Sequence, residues 1–288
     1  MRLAINLKSI LASETAHLSR REAELILAQA MGATREWIIA HPEAKLTEDQ
    51  RARFDDMIAQ MNRGVPLPYV LGEWEFFGLT FKVNPHVLIP RPETELLVET
   101  AISKQWIVNS EQTLPTAHYP LTTIVDVGTG SGIIAITLAK KLSSAKIFAT
   151  DISAEALEVA KENAQRHNAA DRITFVHGDL LEGVGKVNVI CANLPYIPTQ
   201  ELETLEVIKH EPRLALDGGE DGLRIIERLL ATAPDHLLPH GIILAEIAAN
   251  EGEAALRLAK NYFPHSQIEI KKDLAGLDRL LVVRLSGG

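Results

Sequence analysis

Four consecutive residues, Asn193, Leu194, Pro195 and Tyr196, combine the groups that a protein needs to hold a planar group carrying an NH2. They follow the apolar, β-branched run at 187–192, which predicts a strand buried on both faces of a parallel sheet. Open α/β sheets bind their ligands at the carboxyl ends of such strands. Asn193 offers a side-chain carbonyl, the proline restricts the direction of the Leu194 carbonyl, and Tyr196 adds a flat ring with a polar tip. The alternative is a strand that ends in a proline turn with a buried tyrosine, and these four residues alone leave both interpretations open.

A second candidate site lies upstream, where residues 123–139 predict a buried strand, a glycine-rich turn and an amphipathic helix. Glycines allow a ligand to approach the backbone at the N-terminus of a helix, where free N–H groups face outward. A dinucleotide-binding loop has the spacing G-x-G-x-x-G, but Ile133 occupies the position of its last glycine. The spacing is D-x-G-x-G-x-G instead, which is typical of loops that accommodate an amino-acid moiety and a nucleoside. The candidate cofactor-binding residues of this loop are Asp126, Gly128, Thr129, Gly130, Ser131 and Gly132.

Acidic residues follow the next two predicted strands. Asp151 comes directly after the strand at 146–150 and is placed to accept hydrogen bonds from both hydroxyls of a ribose. Its alternative role is a helix cap, but Ser153 can cap the following helix, so we favour the ribose. Asp179 ends the third strand and is expected to accept from an exocyclic amine, with Leu180 packing on an adenine face. The alternative is an ordinary turn, in which a Gly-Asp pair is common.

These strand ends together resemble those of the Rossmann-like S-adenosylmethionine-dependent methyltransferases, and Asn-Leu-Pro-Tyr resembles their N-P-P-Y motif for planar nitrogen substrates. Two further stretches, 75–95 and 211–223, look like signatures of the HemK/PrmC family, the glutamine-N5 methyltransferases of class 1 peptide chain release factors. The resemblance runs from about residue 20 to the C-terminus. One departure is Leu194, where the family usually has a proline. The carbonyl group is kept, and losing a favourable proline costs only about 0.4–1 kcal/mol.

The resemblance implies an enzyme that transfers a methyl group from S-adenosyl-L-methionine to N5 of the glutamine in the release factor's GGQ motif. It implies that Asn193, Leu194, Pro195 and Tyr196 form the catalytic and substrate-binding set, with Asn193 also part of the cofactor site. Leu180 stands where relatives often have an aromatic residue on the adenine, which is expected to weaken cofactor binding modestly. The implied fold is α/β: a Rossmann-like seven-stranded class I methyltransferase domain and a small N-terminal helical domain, joined by a β-hairpin.

The elements that must position these residues divide the chain into three parts. Residues 1–72 predict a small helical bundle, with capping boxes beginning at Ser19 and Thr47. This bundle is either a structural cap on the larger domain or, as the resemblance suggests, the part that grips the protein substrate. Residues 73–90 predict a linker hairpin, and residues 91–288 predict the methyltransferase domain.

Two proline-containing stretches interrupt this pattern. Residues 65–69, with Pro66 and Pro68, predict a stiff, extended linker. Residues 103–122 predict an exposed excursion to which we assign no function.

Composition narrows the classes of protein to which this chain can belong. A chain of 288 residues is long enough for one large and one small domain, and its net charge of −9 disfavours bare nucleic acid as the main partner. Cys191 is the one cysteine and lies in an apolar run, and the ten histidines lack ligand spacing, so we predict neither disulfides nor a metal site.

No apolar run approaches the roughly 20 residues that cross a membrane, and the N-terminus lacks a signal-like core. We therefore expect a cytoplasmic protein.

Three alternative functions remain open. A methyltransferase for adenine N6 or guanine N2 would use the same tetrapeptide, but it would usually carry a basic groove, and the acidic excess falls in the catalytic part of the chain. The sequence distinguishes poorly between a methyltransferase that acts on a ribosomal-protein glutamine and one that acts on a release factor glutamine. A non-catalytic nucleotide-binding or interaction module would leave the intact acids and amide-binding groups unexplained. We favour a release factor as the protein substrate, with no direct role for nucleic acid or membrane.

Overall fold

The larger part of the chain is an α/β domain built on a seven-stranded sheet. The computed structural model describes residues 6–13, 15, 18–103 and 122–286. The predicted excursion at 103–122 lies outside the described residues, apart from its two end residues. The seven strands of the sheet are β3 (Thr123–Val127), β4 (Lys146–Asp151), β5 (Ile173–His177), β6 (Val187–Ala192), β9 (Leu237–Glu246), β10 (Gln267–Lys272) and β11 (Asp278–Arg284). Their order in the sheet is β5-β4-β3-β6-β9-β11-β10, in which β11 runs antiparallel to both of its neighbours.

Helices cover both faces of this sheet, as a sheet with parallel neighbours requires. Two short two-stranded sheets accompany it, formed by β1 (Glu73–Phe76) with β2 (Leu79–Lys82) and by β7 (Ile197–Pro198) with β8 (Asp217–Gly219). The seven-stranded, Rossmann-like fold predicted from the sequence is confirmed. The helices of this domain are α6 (Glu95–Ile102), α7 (Ile133–Lys141), α8 (Ala154–Arg166), α9 (Thr199–Leu202), α10 (Arg224–Thr232) and α11 (Gly252–Tyr262).

Side chains of the central strand β3 point alternately to the two faces of the sheet and so contribute to a hydrophobic core on each face. Ile124 packs in a cluster with Ile136 of α7, whereas its neighbour Val125 packs in a second cluster with Leu229 of α10. All four side chains are fully buried. Successive strand residues point to opposite faces, so an apolar residue at each position serves both layers at once.

The parallel pairing brings the carboxyl ends of the strands to one level. Val127 at the end of β3 lies opposite Thr150 of β4 on one side and Ala192 of β6 on the other. Ala192 in turn lies opposite Ala245 of β9. Since β4 and β6 flank β3 on opposite sides, the strand order reverses at this point, which is where open α/β sheets form a ligand crevice.

The N-terminal part of the chain is a compact helical unit, Met1–Trp74, separate from the unit Glu75–Gly288. Both predicted capping boxes are confirmed: the hydroxyls of Ser19 and Thr47 accept from backbone N–H groups three residues later, and the return bonds are present. In the part of this unit that the structure describes, the helices are α1 (Leu7–Ser13), α2 (Arg20–Met31), α3 (Arg35–Ala40), α4 (Glu48–Asn62) and α5 (Leu67–Leu71).

The last of these helices corrects one prediction. Residues 65–69 are not an extended linker, because α5 begins at Leu67 with Pro66 as its N-cap. Pro68 lies in the first turn, where a helix has no use for the missing N–H and the fixed φ of proline favours helix. Prolines in this pattern are therefore compatible with a helix start as well as with an extended segment.

The hairpin that follows is shorter than the predicted linker at 73–90, because its second strand ends at Lys82. Across the described ranges, no helix is both long and apolar enough to cross a membrane.

Candidate active site

A cavity of about 410 Å³ opens at the carboxyl edge of the sheet, within the size range of small-molecule sites. Three predicted site residues, Asp126, Gly132 and Tyr196, do not line it. The other ten predicted site residues come together in its wall: Gly128, Thr129, Gly130, Ser131, Asp151, Asp179, Leu180, Asn193, Leu194 and Pro195.

The glycine-rich loop after β3 follows a path that side chains would obstruct. Gly128 has φ +70°, and a Cβ there would lie 3.0 Å from Cδ2 of Leu194. Gly132 has φ +84°, and a Cβ there would lie 2.9 Å from Ile136 Cδ1 and 3.2 Å from Ala160 Cβ. The first glycine thus lets the loop approach the tetrapeptide, and the last lets α7 pack against α8.

Asp126 acts beneath this loop rather than in the cavity. Its carboxylate is fully buried, and its Oδ2 accepts from the Thr129 hydroxyl at 2.6 Å and from the Ala135 backbone N–H at 3.1 Å. Burial raises the pKa of Asp126 to about 7, although these two hydrogen bonds oppose the rise. The side chain therefore ties the loop to the first turn of α7, which makes it a positioning residue.

Asp151, at the end of β4, lies in the wall of the cavity and holds the loop from the other side. Its Oδ2 accepts from the Gly130 N–H and its Oδ1 from the Ser153 N–H, both at 2.9 Å. The prediction that Ser153 caps α8 is confirmed, since its hydroxyl accepts from the Ala156 N–H at 3.1 Å. Burial raises the pKa of the Asp151 carboxyl. Each oxygen keeps a further lone pair, so the carboxylate can still accept from two hydroxyls.

The third strand end has a partner that the sequence did not indicate. Asp179 forms an ion pair with Arg228 of α10, and both residues line the cavity. Leu180 adopts φ +52°, a left-handed conformation that is uncommon for a leucine, and its carbonyl accepts from the Thr150 hydroxyl at 2.7 Å. Residues held in such conformations cluster at ligand sites.

The tetrapeptide after β6 is held by side chains from distant elements. Asn193 donates from Nδ2 to the Thr94 hydroxyl oxygen at 2.9 Å. Leu194 is 5% exposed and packs in the core cluster beside α10. The Tyr196 hydroxyl donates to Oε1 of Glu246 at 3.1 Å. Burial raises the pKa of Tyr196, and the neighbouring Glu246 carboxylate raises it further. Tyr196 thus faces Glu246 and does not line the cavity.

The two signature stretches at 75–95 and 211–223 meet around this motif. Glu211 is buried, accepts from the Ile89 N–H at 2.9 Å and forms an ion pair with Arg91. A Cβ on Gly218 would lie 2.7 Å from the Cα of Tyr196, so only glycine allows this approach. The family signatures were the one signal in the sequence that marked these residues.

The arrangement fits a nucleoside joined to an amino-acid moiety. The loop presents backbone at the N-terminus of α7, Asp151 offers acceptors, and Leu180 with Ile152 offers apolar surface. Among the described residues, no group of three or more His, Cys, Asp or Glu is placed to hold a metal ion.

Comparison with family models matches two parts of the chain. Residues 6–72 match the model described as the PrmC N-terminal domain. Residues 105–211 match the model described as ribosomal protein L11 methyltransferase (PrmA).

Curated relatives extend the similarity over nearly the whole chain. The release factor glutamine methyltransferase of Moorella thermoacetica is 41% identical over 263 residues, which cover 90% of this chain and 89% of that protein. The enzyme of the same name from Nitratidesulfovibrio vulgaris is 39% identical, covering 92% and 88%. That from Bacillus cereus is 35% identical, covering 91% of each chain.

Solved structures agree on the fold. A methyltransferase from Pyrococcus furiosus aligns with a TM-score of 0.51 at 18% identity, covering 83% of this chain and all of that one. The hMettl16 catalytic domain, solved with the MAT2A 3′UTR hairpin 6, aligns with a TM-score of 0.53 at 16% identity, covering 83% and 82%. At these identities the likeness concerns the fold alone.

The buried carboxyl of Asp126 predicts a measurable pH dependence of stability. Its folded-state pKa of about 7 exceeds the value of about 4 in an unfolded chain, so between these pH values the folded state binds the extra proton. The stability that this group contributes is complete below about pH 4 and is lost as the pH rises through 7. Because asparagine does not titrate, Asp126→Asn should gain stability relative to the wild type across this window, by up to roughly 1.4 kcal/mol per pH unit.

Urea unfolding of both proteins at pH 5 to 8 measures this difference. The exposed carboxylate of Asp171 provides the control Asp171→Asn. Parallel curves of free energy against pH for the wild type and Asp126→Asn would show that Asp126 titrates normally.

Proposed function

This chain belongs to the release factor glutamine methyltransferases, and on that premise we propose that Asn193 and Leu194 hold the glutamine amide that receives the methyl group. The enzyme transfers a methyl group from S-adenosyl-L-methionine to the side-chain amide nitrogen of a release factor glutamine. The observation that carries the proposal is the hydrogen bond from Asn193 Nδ2 to Thr94. It engages the nitrogen of the Asn193 amide and leaves the side-chain oxygen as the group available to a substrate.

The amide nitrogen of glutamine is a poor nucleophile, because its lone pair is delocalised into the carbonyl. When bound, the cofactor supplies a methyl group activated by a sulfonium. The protein must then orient the nitrogen, and orientation alone contributes about 7–11 kcal/mol in favourable cases. The Asn193 Oδ1 and the Leu194 carbonyl each accept one of the two amide N–H groups, which directs the nitrogen.

Both acceptors also stabilise the transition state. Positive charge develops on the nitrogen during attack, and fixed acceptors interact with it more strongly than with the neutral amide. Among the hydrogen bonds of the described residues, none uses Asn193 Oδ1 or the Leu194 carbonyl, so both oxygens keep their acceptor capacity. The proton can leave after attack, and no charged base is required.

Pro195 and Tyr196 support this geometry in different ways. Pro195 lines the cavity and restricts the backbone of Leu194. Tyr196 does not line the cavity, so we assign it a positioning role in which its bond to Glu246 anchors the end of the motif.

The cofactor is proposed to lie along the glycine-rich loop. Asp151 accepts from the ribose hydroxyls, Asp179 accepts from the adenine amine, and Leu180 packs on the adenine face. Asp179 already pairs with Arg228 through Oδ2, which leaves its Oδ1 for this role. Asn193 lines the same cavity as the loop, which supports a place for it between cofactor and substrate.

We further propose that residues 1–72 grip the release factor. The match of residues 6–72 to the PrmC N-terminal domain supports this role, as does the exposed apolar surface of Trp37 and Ile39. The net charge of −9 supports a protein partner over nucleic acid, and we propose that the enzyme works in the cytoplasm.

A ribosomal-protein glutamine is the second candidate substrate, favoured by the match of residues 105–211 to a ribosomal protein L11 methyltransferase model. The release factor methyltransferases match over about nine-tenths of the chain, whereas this model covers only its middle. We therefore place the release factor first.

Labelled cofactor distinguishes these substrates. The protein is incubated with methyl-labelled S-adenosylmethionine and, separately, with release factor, ribosomal proteins, RNA and DNA. We expect label on one glutamine of the release factor, located by peptide mass spectrometry. Label on nucleic acid, or on no substrate, would contradict the proposed function.

In the same assay, Asn193→Ala should lower kcat by about 10²–10³, as loss of one preorganised hydrogen-bond partner does elsewhere. Cofactor affinity, measured by calorimetry, should change little. Asn261→Ala on the exposed face of α11 is the control. Lost cofactor binding with intact turnover would overturn this assignment.

Asp151→Ala should have the opposite effect. Removing an acceptor of charged hydrogen bonds costs about 1.5–3 kcal/mol, so cofactor affinity should fall at least roughly tenfold. Calorimetry measures the affinity, a thermal melt checks folding, and the exposed Asp235→Ala is the control. An unchanged cofactor affinity would refute the ribose role.

A further inference from the structure

We propose that Asn163 is a positioning residue that holds the cofactor loop, residues 128–132, in the shape that receives the amino-acid end of S-adenosylmethionine. It does so by tying the Ser131 carbonyl to the backbone of Lys82 on strand β2. The inference rests on the proposed cofactor site and goes beyond it, because Asn163 does not line the cavity and belongs to none of the sequence motifs.

The side-chain amide of Asn163 is fully buried on α8, and both of its polar atoms are hydrogen-bonded. Its Nδ2 donates to the carbonyl oxygen of Ser131 at 2.9 Å and to that of Lys82 at 3.0 Å. Its Oδ1 accepts from the Lys82 backbone N–H at 2.7 Å. One side chain therefore joins three segments that are distant in the sequence: α8, β2 and the cofactor loop.

This set of bonds needs a primary amide. The NH2 of asparagine has two hydrogens, one for each carbonyl, and only its oxygen can accept from the Lys82 N–H. The orientation of the Asn163 amide is thereby determined by its partners. A carboxylate at this position could still accept from Lys82, but it would face both carbonyl oxygens with no hydrogen to donate.

The bonded carbonyl belongs to a part of the cofactor loop that lines the cavity. Ser131 is buried and lies in the cavity wall. The next residue, Gly132, packs against the same helix, since a Cβ there would lie 3.2 Å from the Cβ of Ala160. Helix α8 thus holds this end of the loop twice, by packing at Ala160 and by hydrogen bonding at Asn163.

The preceding part of the loop is held independently. Asp151 accepts from the Gly130 N–H and also from the Ser153 N–H, so the carboxylate proposed for the ribose keeps a partner when Ser131 is released. Losing the bonds of Asn163 should therefore shift mainly the backbone that leads into the N-terminus of α7. Free N–H groups at a helix N-terminus suit the carboxylate of an amino-acid moiety.

Two variants separate this role from a general contribution to stability. Asn163→Asp keeps the size of the side chain but loses both donated bonds. His167→Ala is the matched control, because His167 follows α8 and bonds through Nε2 to the Thr80 carbonyl on the same strand β2 at 2.9 Å. Among the described residues, His167 has no hydrogen bond to the cofactor loop, and it does not line the cavity.

The experiment compares two ligands by calorimetry. S-adenosylhomocysteine carries the nucleoside and the amino-acid moiety, whereas methylthioadenosine carries the nucleoside without the amino-acid moiety. Affinities for both are measured with the wild type, Asn163→Asp and His167→Ala, and thermal melts report the stability of each protein. An asparagine with a merely structural role would lower both affinities in parallel or leave both unchanged.

We expect Asn163→Asp to lose at least roughly tenfold in affinity for S-adenosylhomocysteine, because the Ser131 carbonyl is left without its donor. Its affinity for methylthioadenosine should stay within roughly threefold of the wild-type value. His167→Ala should bind both ligands as the wild type does, whatever its melting temperature.

Hydrogen exchange of the wild type supplies a test that needs no variant. The Lys82 N–H is bonded to Asn163, so filling the amino-acid end of the cofactor site should slow its exchange through the shared side chain. S-adenosylhomocysteine should therefore protect the Lys82 N–H more than methylthioadenosine does, with both ligands at saturation. This measurement decides the question if Asn163→Asp does not fold.

A parallel loss of both affinities in Asn163→Asp, or no loss in either, would overturn the inference. If that variant does not fold, equal exchange at Lys82 with the two ligands would overturn it. Failure of the proposed function is a separate result, in which the wild type labels no release factor. The comparison of the two ligands does not depend on that substrate, so the two failures are distinguishable.

Discussion

The parallel, in-register pairing of β3 with β4 and β6 is the constraint on which the rest of the site depends. It places Val127, Thr150 and Ala192 at one level, so the loops that follow these strands start from a common edge. Because β4 and β6 lie on opposite sides of β3, those loops diverge and leave a crevice between them. Loops from four different strands can then contribute to one cavity.

Buried carboxylates turn this crevice into a rigid site. Asp126, Glu211 and Glu246 lie behind its walls, and each accepts hydrogen bonds from a segment that carries functional groups. A buried carboxyl has lost its hydration, so each hydrogen bond that it accepts holds the donating segment close to it. The acceptors that face the substrate are thereby oriented before the substrate arrives, which is the condition for electrostatic stabilisation of a transition state.

At Leu194, side-chain packing takes the place of the backbone restriction that a proline ring would impose. The family usually has a proline here, and losing one costs about 0.4–1 kcal/mol through the unfolded chain. The leucine side chain is 5% exposed and packs in a core cluster over Gly128, and burying a leucine contributes about 1.5–3 kcal/mol. This packing fixes the leucine in the folded state, so its backbone carbonyl keeps a defined position without a second proline.

The sequence by itself determined the features that depend on neighbours along the chain: the apolar strands, the glycine-rich loop, the acids that follow the strands and the capping boxes. It failed at residues 65–69, because prolines in this pattern are compatible with both a helix start and an extended segment. Only the tertiary structure decided that Asn193 meets Thr94 and that Tyr196 meets Glu246, pairs separated by 99 and 50 residues. Hydrogen bonds are short and directional, so which polar groups meet depends on how the strands and helices pack, and periodicity along the chain carries no record of it.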